Sequence, residues 1–456
     1  MKKGILLAVL IVALLAMPAF ASVQNIKVSG DLENSWVVRN NFNFGNGDGD
    51  IKQNDVISAL RLRVDADLTD NVSVVVRLLN ERTWGDADVG STDIDVDLAY
   101  VEMREMLYSP LTVTIGRQVL YYGNGLIIGD GPNNITTTSS PLATVAPDLS
   151  KVSGVDAIKA VLDYDPLTID IFAAVVDDGT PGFRRSDKPD DTNLYGINAN
   201  YAFNDEKGTV AEAYFFSKVT STFSATVDHY DTVQTPGFRV SSNVLDGLML
   251  SGELAWQFGR INRLTGQNED AIERNAMAAQ IIANYVIPFE KTKKYNPVAT
   301  AVYSYLSGDS APLDGVTGDE KVVYSAWDPM YEGQGSGKIY NALFDLTNCH
   351  IYSVALAAEV MEDVMAKVSW TGLWLDKKSN STSLASRAYI GASAISYNVD
   401  KDKKALGHEF DLDLTYDYTE DVVIGLNTGI YLPGSVFTDV NDNAATQAIL
   451  SVLVNF

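Results

Sequence analysis

Apolar and polar residues alternate with a period of two through most of this chain. From Val56 the positions Val56, Leu60, Leu62, Val64, Ala66 and Leu68 are apolar, while Arg61, Arg63, Asp65 and Asp67 fill the odd positions between them. The same split sets Ile26, Val28, Leu32 and Trp36 against Lys27, Asp31 and Glu33, and Phe410, Leu412, Leu414 and Tyr416 against Glu409, Asp411 and Asp413. Side chains two residues apart share one face of a β-strand, so each stretch predicts a strand with a greasy face and an ionic face. Strands of soluble sandwiches usually run about 5 to 6 residues, whereas many stretches here reach about 10, the length a tilted strand needs to cross hydrocarbon.

Short turns at Thr69-Asp70-Asn71, Tyr108-Ser109-Pro110, Asp165-Pro166, Asn204 to Gly208, Leu245-Asp246-Gly247, Pro288 to Pro297, Glu362-Asp363 and Thr419-Glu420-Asp421 alternate with long connections rich in Gly, Asp, Asn and Ser. That asymmetry is the short-periplasmic, long-extracellular pattern of bacterial outer-membrane barrels. Strands are predicted near 25–39, 55–69, 72–82, 94–107, 110–121, 155–164, 167–177, 193–203, 209–220, 237–245, 248–260, 274–287, 298–307, 350–360, 363–376, 406–418, 422–432 and 446–456. About eighteen strands, an even number, close a barrel with both ends on the periplasmic side. The expected fold is therefore all-β, a transmembrane antiparallel barrel with Leu62, Leu254, Leu412 and Val452 facing lipid. Trp36, Tyr201, Trp256, Tyr285, Trp370, Trp374 and Tyr416 fall near strand ends, where aromatic rings favour the headgroup level.

The N-terminus changes the compartment. Lys2 and Lys3 precede an apolar run from Ile5 to Met17 that ends in Ala19-Phe20-Ala21. This reads as a secretory signal peptide over residues 1–21, cut before Ser22, which leaves 22–456 as the barrel. Hydrophobic residues make up 46% of the chain, yet beyond the leader no apolar run approaches the roughly 20 residues of a membrane helix. Any crossing is then made by strands. The formal charge of −25, two units more negative once the leader lysines are gone, argues against nucleic acid and against a polybasic membrane-surface role. The lone Cys349 excludes a disulfide framework and a cysteine-based zinc or haem site within the chain. The last residues, Leu450 to Phe456, alternate up to a terminal aromatic, as in the final strand that outer-membrane insertion machinery recognises.

Catalytic chemistry finds little support. His229, His350 and His408 are the only histidines, none in a metal-ligand pair, and no nucleophile motif accompanies them, so no enzyme activity is expected. Asp48-Gly49-Asp50 with Asn54-Asp55 gathers oxygen ligands of the kind Ca²⁺ takes, without the spacing or closing Glu of an EF-hand. A solvated loop is the stronger reading, and no cofactor is expected.

Two stretches resemble the alginate-export family of outer-membrane porins. The first is the Ala99-Tyr100 strand with Leu111-Thr112-Val113-Thr114-Ile115-Gly116-Arg117-Gln118, Tyr122-Gly123-Asn124 and Gly129-Asp130-Gly131. The second is Leu406-Gly407-His408-Glu409-Phe410-Asp411-Leu412-Asp413-Leu414-Thr415-Tyr416 with Tyr431-Leu432-Pro433-Gly434. The resemblance implies a monomeric eighteen-stranded barrel with a polar lumen. In members that export alginate an arginine-rich pore attracts the polyanion, and Gly116-Arg117-Gln118 matches one piece of that pattern.

The residues themselves point to a mixed lumen. Arg61, Arg63, Arg77 and, given a bulge at Gly116, Arg117 are expected to form a basic strip, with Asp65 beside it and Glu409, Asp411 and Asp413 forming an acidic strip nearby. Asp31, Glu33, Asp67, Asp170 and Glu253 are inward positions too. Such a lumen favours small polar or zwitterionic solutes over a long polyanion, with weak ion selectivity tilted toward cations by acidic loops at the mouth. The expected function is a passive outer-membrane channel for small polar or charged solutes. The alternatives are a dedicated exporter of alginate or another anionic polysaccharide, and a sheath around a periplasmic electron-transfer partner. Outer-membrane lipid and lipopolysaccharide are the expected surroundings. The connection from Tyr121 to Gly154, with Gly129-Asp130-Gly131-Pro132 and Pro141, is expected to enter the lumen and narrow it.

Overall fold

The alternation becomes a closed wall in the computed structural model, which describes residues 25–45, 52–85, 94–129, 142, 145–177, 192–224, 227–265, 268–288, 293–309, 323–335, 337–379, 383–390 and 393–456. The expected leader, residues 1–21, and the Asp48-Gly49-Asp50 run lie outside the described residues. The strands are β1 (Asn25–Asn40), β2 (Lys52–Thr69), β3 (Val72–Thr83), β4 (Asp95–Met103), β5 (Leu111–Gln118), β6 (Val155–Asp163), β7 (Leu167–Asp177), β8 (Thr192–Ala202), β9 (Val210–Ser224), β10 (Val227–Leu245) and β11 (Leu248–Thr265). They continue with β12 (Asn268–Val286), β13 (Val298–Leu306), β14 (Val323–Tyr324), β15 (Cys349–Met361), β16 (Val364–Leu375), β17 (Ser383–Ile390), β18 (Ser393–Asn398), β19 (Ala405–Asp417), β20 (Val422–Pro433) and β21 (Ala445–Asn455).

Eighteen of these pair antiparallel with their sequence neighbours to make the barrel, leaving aside the two-residue β14 and the separate hairpin β17–β18. The ring closes where β1 meets β21, from Asp31 opposite Asn455 to Asn40 opposite Thr446. Gly30 and Phe456 then exchange backbone hydrogen bonds of 2.8 and 2.9 Å. A Cβ on Gly30 would lie 2.6 Å from the Phe456 ring, so the missing side chain is what seats the terminal aromatic at the seam. Closure removes the unpaired edge that a sheet in hydrocarbon cannot tolerate.

The two faces separate as the alternation predicts. Leu62 is exposed on the outer face, and Leu254, Leu412 and Val452 share the phase of the exposed Trp256, Phe410 and Leu450. β10 starts ten residues earlier than expected because Pro236 does not end it. Pro236 pairs with Phe215 of β9, while the β11 ladder skips Thr235 and Pro236, so the missing N–H falls at a local break in one ladder.

Wall height is uneven. β4, β5 and β6 have 9, 8 and 9 residues, whereas β10, β11 and β12 have 19, 18 and 19. The extra length stands on the long-connection side. The largest buried cluster lies inside the ring rather than between layers. Its centres are a ring nest of Phe44 with Tyr397 (4.6 Å), Tyr431 (5.5 Å) and Phe437 (4.9 Å), and a second of Tyr122, Phe172, Phe216 and Tyr214. Each buried ring contributes about 1.5–3 kcal/mol by leaving water, so the fill stabilises the barrel as well as obstructing it.

Candidate functional site

Two connections fold into the lumen. The first leaves β5 at Gln118, whose amide donates to the carbonyls of Thr114, Gly116 and Ala157 and so ends the strand on the inner face. The chain reverses through Gly123 and Gly125, both at positive φ, and Tyr122 drops between Phe172 and Phe216. Burial there, and the nearby Asp170 and Glu212 carboxylates, hold the Tyr122 phenol protonated by raising its pKa. Asn124 donates to Ser251 on β11 (3.2 Å). The returning arm, residues 145–154, lies against β1 to β4 and is held by polar bolts. Arg39 grips Asp148 with two bonds of 3.1 and 2.6 Å, both side chains almost wholly buried. Gln53 donates to the Val145 carbonyl, Glu81 accepts from the Ser150 hydroxyl and the Lys151 N–H, and Asp97 accepts from the N–H groups of Ser153 and Gly154.

The second connection, between β13 and β15, crosses the lumen as a strap. At one end Lys218 pairs with Asp328 (2.8 Å), and Gln257 clamps Asp328 through both its N–H and its carbonyl, each at 2.8 Å. Burial works against ionisation of Asp328, but Lys218 and Arg274 outweigh it and hold the carboxyl below its ordinary pKa. In the middle the strap joins the first connection. Gly129 N–H donates to Tyr331, Tyr331 N–H to Ile127 and Gly333 N–H to Gly125, at 2.7, 3.0 and 2.7 Å. At the far end Gln447 of β21 donates to the Gly337 carbonyl, and Lys338 pairs with Asp413 (3.1 Å) and Asp411 (3.5 Å). Glu409 accepts the Ile339 and Tyr340 N–H groups that open the short helix Ile339–Leu343. A carboxylate there answers the unpaired donors of a helix start.

Arg61, Arg63 and Arg77 all face inward on β2 and β3, but each is answered locally. Arg61 pairs with Asp31 at 2.9 Å, Arg63 with Asp65 at 2.7 Å, and Arg77 with Asp97 at 2.5 Å. Lys151 of the returning arm pairs with Glu33 at 2.9 Å. Glu409, Asp411 and Asp413 also face inward, yet they hold the strap instead of standing as an open acidic strip. Arg117 corrects the expectation of an inward turn. Gly116 does adopt positive φ (121°), but the ladders on both sides run without a register shift, so Arg117 keeps the phase of Ile115 and points out of the barrel. It pairs there with Asp156 (3.5 Å), whose side chain is 65% exposed. Asn54, from the proposed Ca²⁺ loop, accepts a hydrogen bond from Trp36 Nε1 (2.7 Å).

With a closed wall and an obstructed lumen in place, the comparison with known families becomes decisive. The family model for alginate export matches residues 25–451. The chain belongs to the alginate export family. No curated protein sequence matches it. Among solved structures, this alginate-export-family barrel has the fold of Pseudomonas outer-membrane porins. Pseudomonas aeruginosa OpdK with vanillate shares 11% identity over 95% of this chain and 99% of that one, at a TM-score of 0.55. P. aeruginosa OccK2 (OpdF) in complex with glucuronate shares 10% over 95% and 99% at 0.55, and a BenF-like porin from Pseudomonas fluorescens Pf-5 shares 11% over 95% and 100% at 0.55.

Sequence reasoning located the first inward connection of this family member but not the strap. Asp130 to Pro141, with Ala143 and Thr144, lie outside the described residues; Leu126, Ile127 and Ile128 before them and Leu142 and Ala146 after are buried. The strap carried a readable signal: Trp327, Met330, Tyr331, Ile339, Leu343, Phe344 and Leu346 are too apolar for a solvated extracellular loop, and all are buried.

Proposed function

We propose that the barrel is a passive channel that carries small polar solutes, with both charges tolerated, through the sector between β1–β3 and the strap. The observation that supports this most is the local pairing of the lumen charges: Arg61 with Asp31, Arg63 with Asp65 and Lys151 with Glu33, each partner still partly exposed. Paired charges of opposite sign on a low-dielectric wall create a transverse field that orients dipoles and zwitterions, while offering no unanswered row of cations to a polyanion. The strap adds a steric argument, since a chain molecule must thread past a segment tied to both walls. A periplasmic protein inside the barrel meets the same obstacle, and the channel acts as a monomer.

The family's name favours a second reading, export of alginate itself. Planar-bilayer recording in a salt gradient separates the two. The proposal expects a small reversal potential on the cation side and no block by alginate oligomers. Strong anion selectivity with block by those oligomers overturns it and puts the exporter in its place.

A further inference from the structure

The outer face of β12, β13, β15, β16 and β19 carries a feature that solute passage does not use. A groove of about 540 Å³ runs over the cross-strand pair Ala283 and Ala301 and is walled by Tyr303, Tyr352, Trp370 and Trp374. Gly372 lets both tryptophans converge, because a Cβ there would lie 2.7 Å from the Trp374 ring and 2.9 Å from that of Trp370. His408 stacks on Trp370 (5.9 Å) and meets Trp374 edge-on (5.4 Å), which fixes the wall. The groove opens to the hydrocarbon, and its aromatic end lies toward the long connections, hence toward the outer leaflet.

Directly beyond that end stand Lys377, Lys378, Lys401, Lys403 and Lys404, all exposed, in a chain with a formal charge of −25. They converge because Leu375 N–H donates to the Lys404 carbonyl (2.8 Å), joining the ends of β16 and β19. The acids among them number three against five lysines: Asp376, engaged with the Gly308 N–H (2.9 Å) and Tyr305 and 3.9 Å from Lys377; Asp400, which accepts the Asp402 N–H (2.9 Å); and Asp402, 3.5 Å from Lys378. Lys377 begins three residues past Trp374, within about 10 Å along the strand.

We propose that this face is a binding site for lipid A, one acyl chain lying in the aromatic groove and a headgroup phosphate on the lysine cluster. Apolar shape and positive charge are stacked in the order that an outer-leaflet anionic lipid presents them. A phosphate gains charge-assisted hydrogen bonds from several ammonium groups at once, and a chain between rigid rings loses little beyond its own rotamer freedom. Nothing in this proposal depends on what the channel transports.

The test is native mass spectrometry of the full barrel in mild detergent with added lipid A, using phosphatidylglycerol as the competitor. The wild-type barrel should retain one lipid A. The K377Q/K378Q/K403Q variant should lose affinity on the order of a hundredfold, from about a factor of five per lysine. The A283L/A301L variant, which fills the groove and leaves the lysines untouched, should lose the adduct as well. Heat-modifiable gel migration confirms that each variant is folded. Undiminished lipid A on both folded variants overturns the site, and so does displacement by phosphatidylglycerol at equal concentration, which would reduce the face to an ordinary anionic-lipid contact.

Discussion

The lumen is filled in two different ways on its two sides. Against β7 and β9 the first inward chain is packed by rings, with Tyr122 5.4 Å from Phe172 and 5.3 Å from Phe216. Against β1 to β4 it is bolted by polar contacts, from Arg39–Asp148 to Asp97 on the Ser153 and Gly154 amides. Apolar packing is non-directional and excludes water, so it closes its sector. Hydrogen-bonded ion pairs are directional and leave neighbours such as Arg61 and Lys151 partly exposed, and the proposed path runs along them.

The comparison breaks most sharply at the strap's far anchor, which belongs to neither style alone. Glu409→Ala together with Lys338→Ala removes the acceptor for two helix-opening N–H groups and the partner of Asp411 and Asp413. The strap should swing free and single-channel conductance should rise several-fold, read in planar bilayers. Next in size is Arg39→Ala. Removing the buried guanidinium that makes two bonds to Asp148 destabilises the arm by about 3–5 kcal/mol, enough to expose it, and limited proteolysis should cut the 145–154 arm while the barrel persists. Tyr122→Ala, in the ring-packed sector, carries a similar cost of about 3–5 kcal/mol but should leave selectivity unchanged, because no channel charge moves. A reversal potential altered by Tyr122→Ala would erase the distinction between the sectors.

The smallest effect is on pH. Asp328 has a lowered pKa in the folded chain, so its bond to Lys218 contributes fully above the ordinary carboxylate value of about 4 and is lost only as pH falls through the lower folded value. The Lys218–Asp328 anchor should therefore hold from neutral pH down to about 4 and weaken only below it, read as limited proteolysis of the strap across that range.

The wall was legible because a barrel strand separates two solvents at every residue, and period two records that directly: Leu62 and Arg61 needed nothing more. The strap was not, because a segment inside a lumen meets protein on all sides and has no period to show. Trp327, Ile339 and Phe344 betrayed it by composition alone. The early start of β10 was not legible because Pro236 is accommodated by a break in one ladder without ending the strand. Arg117 misled because positive φ at Gly116 does not by itself shift a register. Arg61, Arg63, Arg77, Asp65, Glu409, Asp411 and Asp413 stand on the inner face and Arg117 on the outer. Their pairing was invisible because it depends on partners such as Asp97, Lys151 and Lys338, which only the folded connections bring near.

The central claim is that the strap sets the bore. Replacing residues 326–346 with a short Gly-Ser linker, and verifying the barrel by heat-modifiable migration, isolates that claim in one single-channel recording. The account predicts a conductance several times that of the wild-type channel with larger neutral solutes admitted. A folded barrel with unchanged conductance would contradict it.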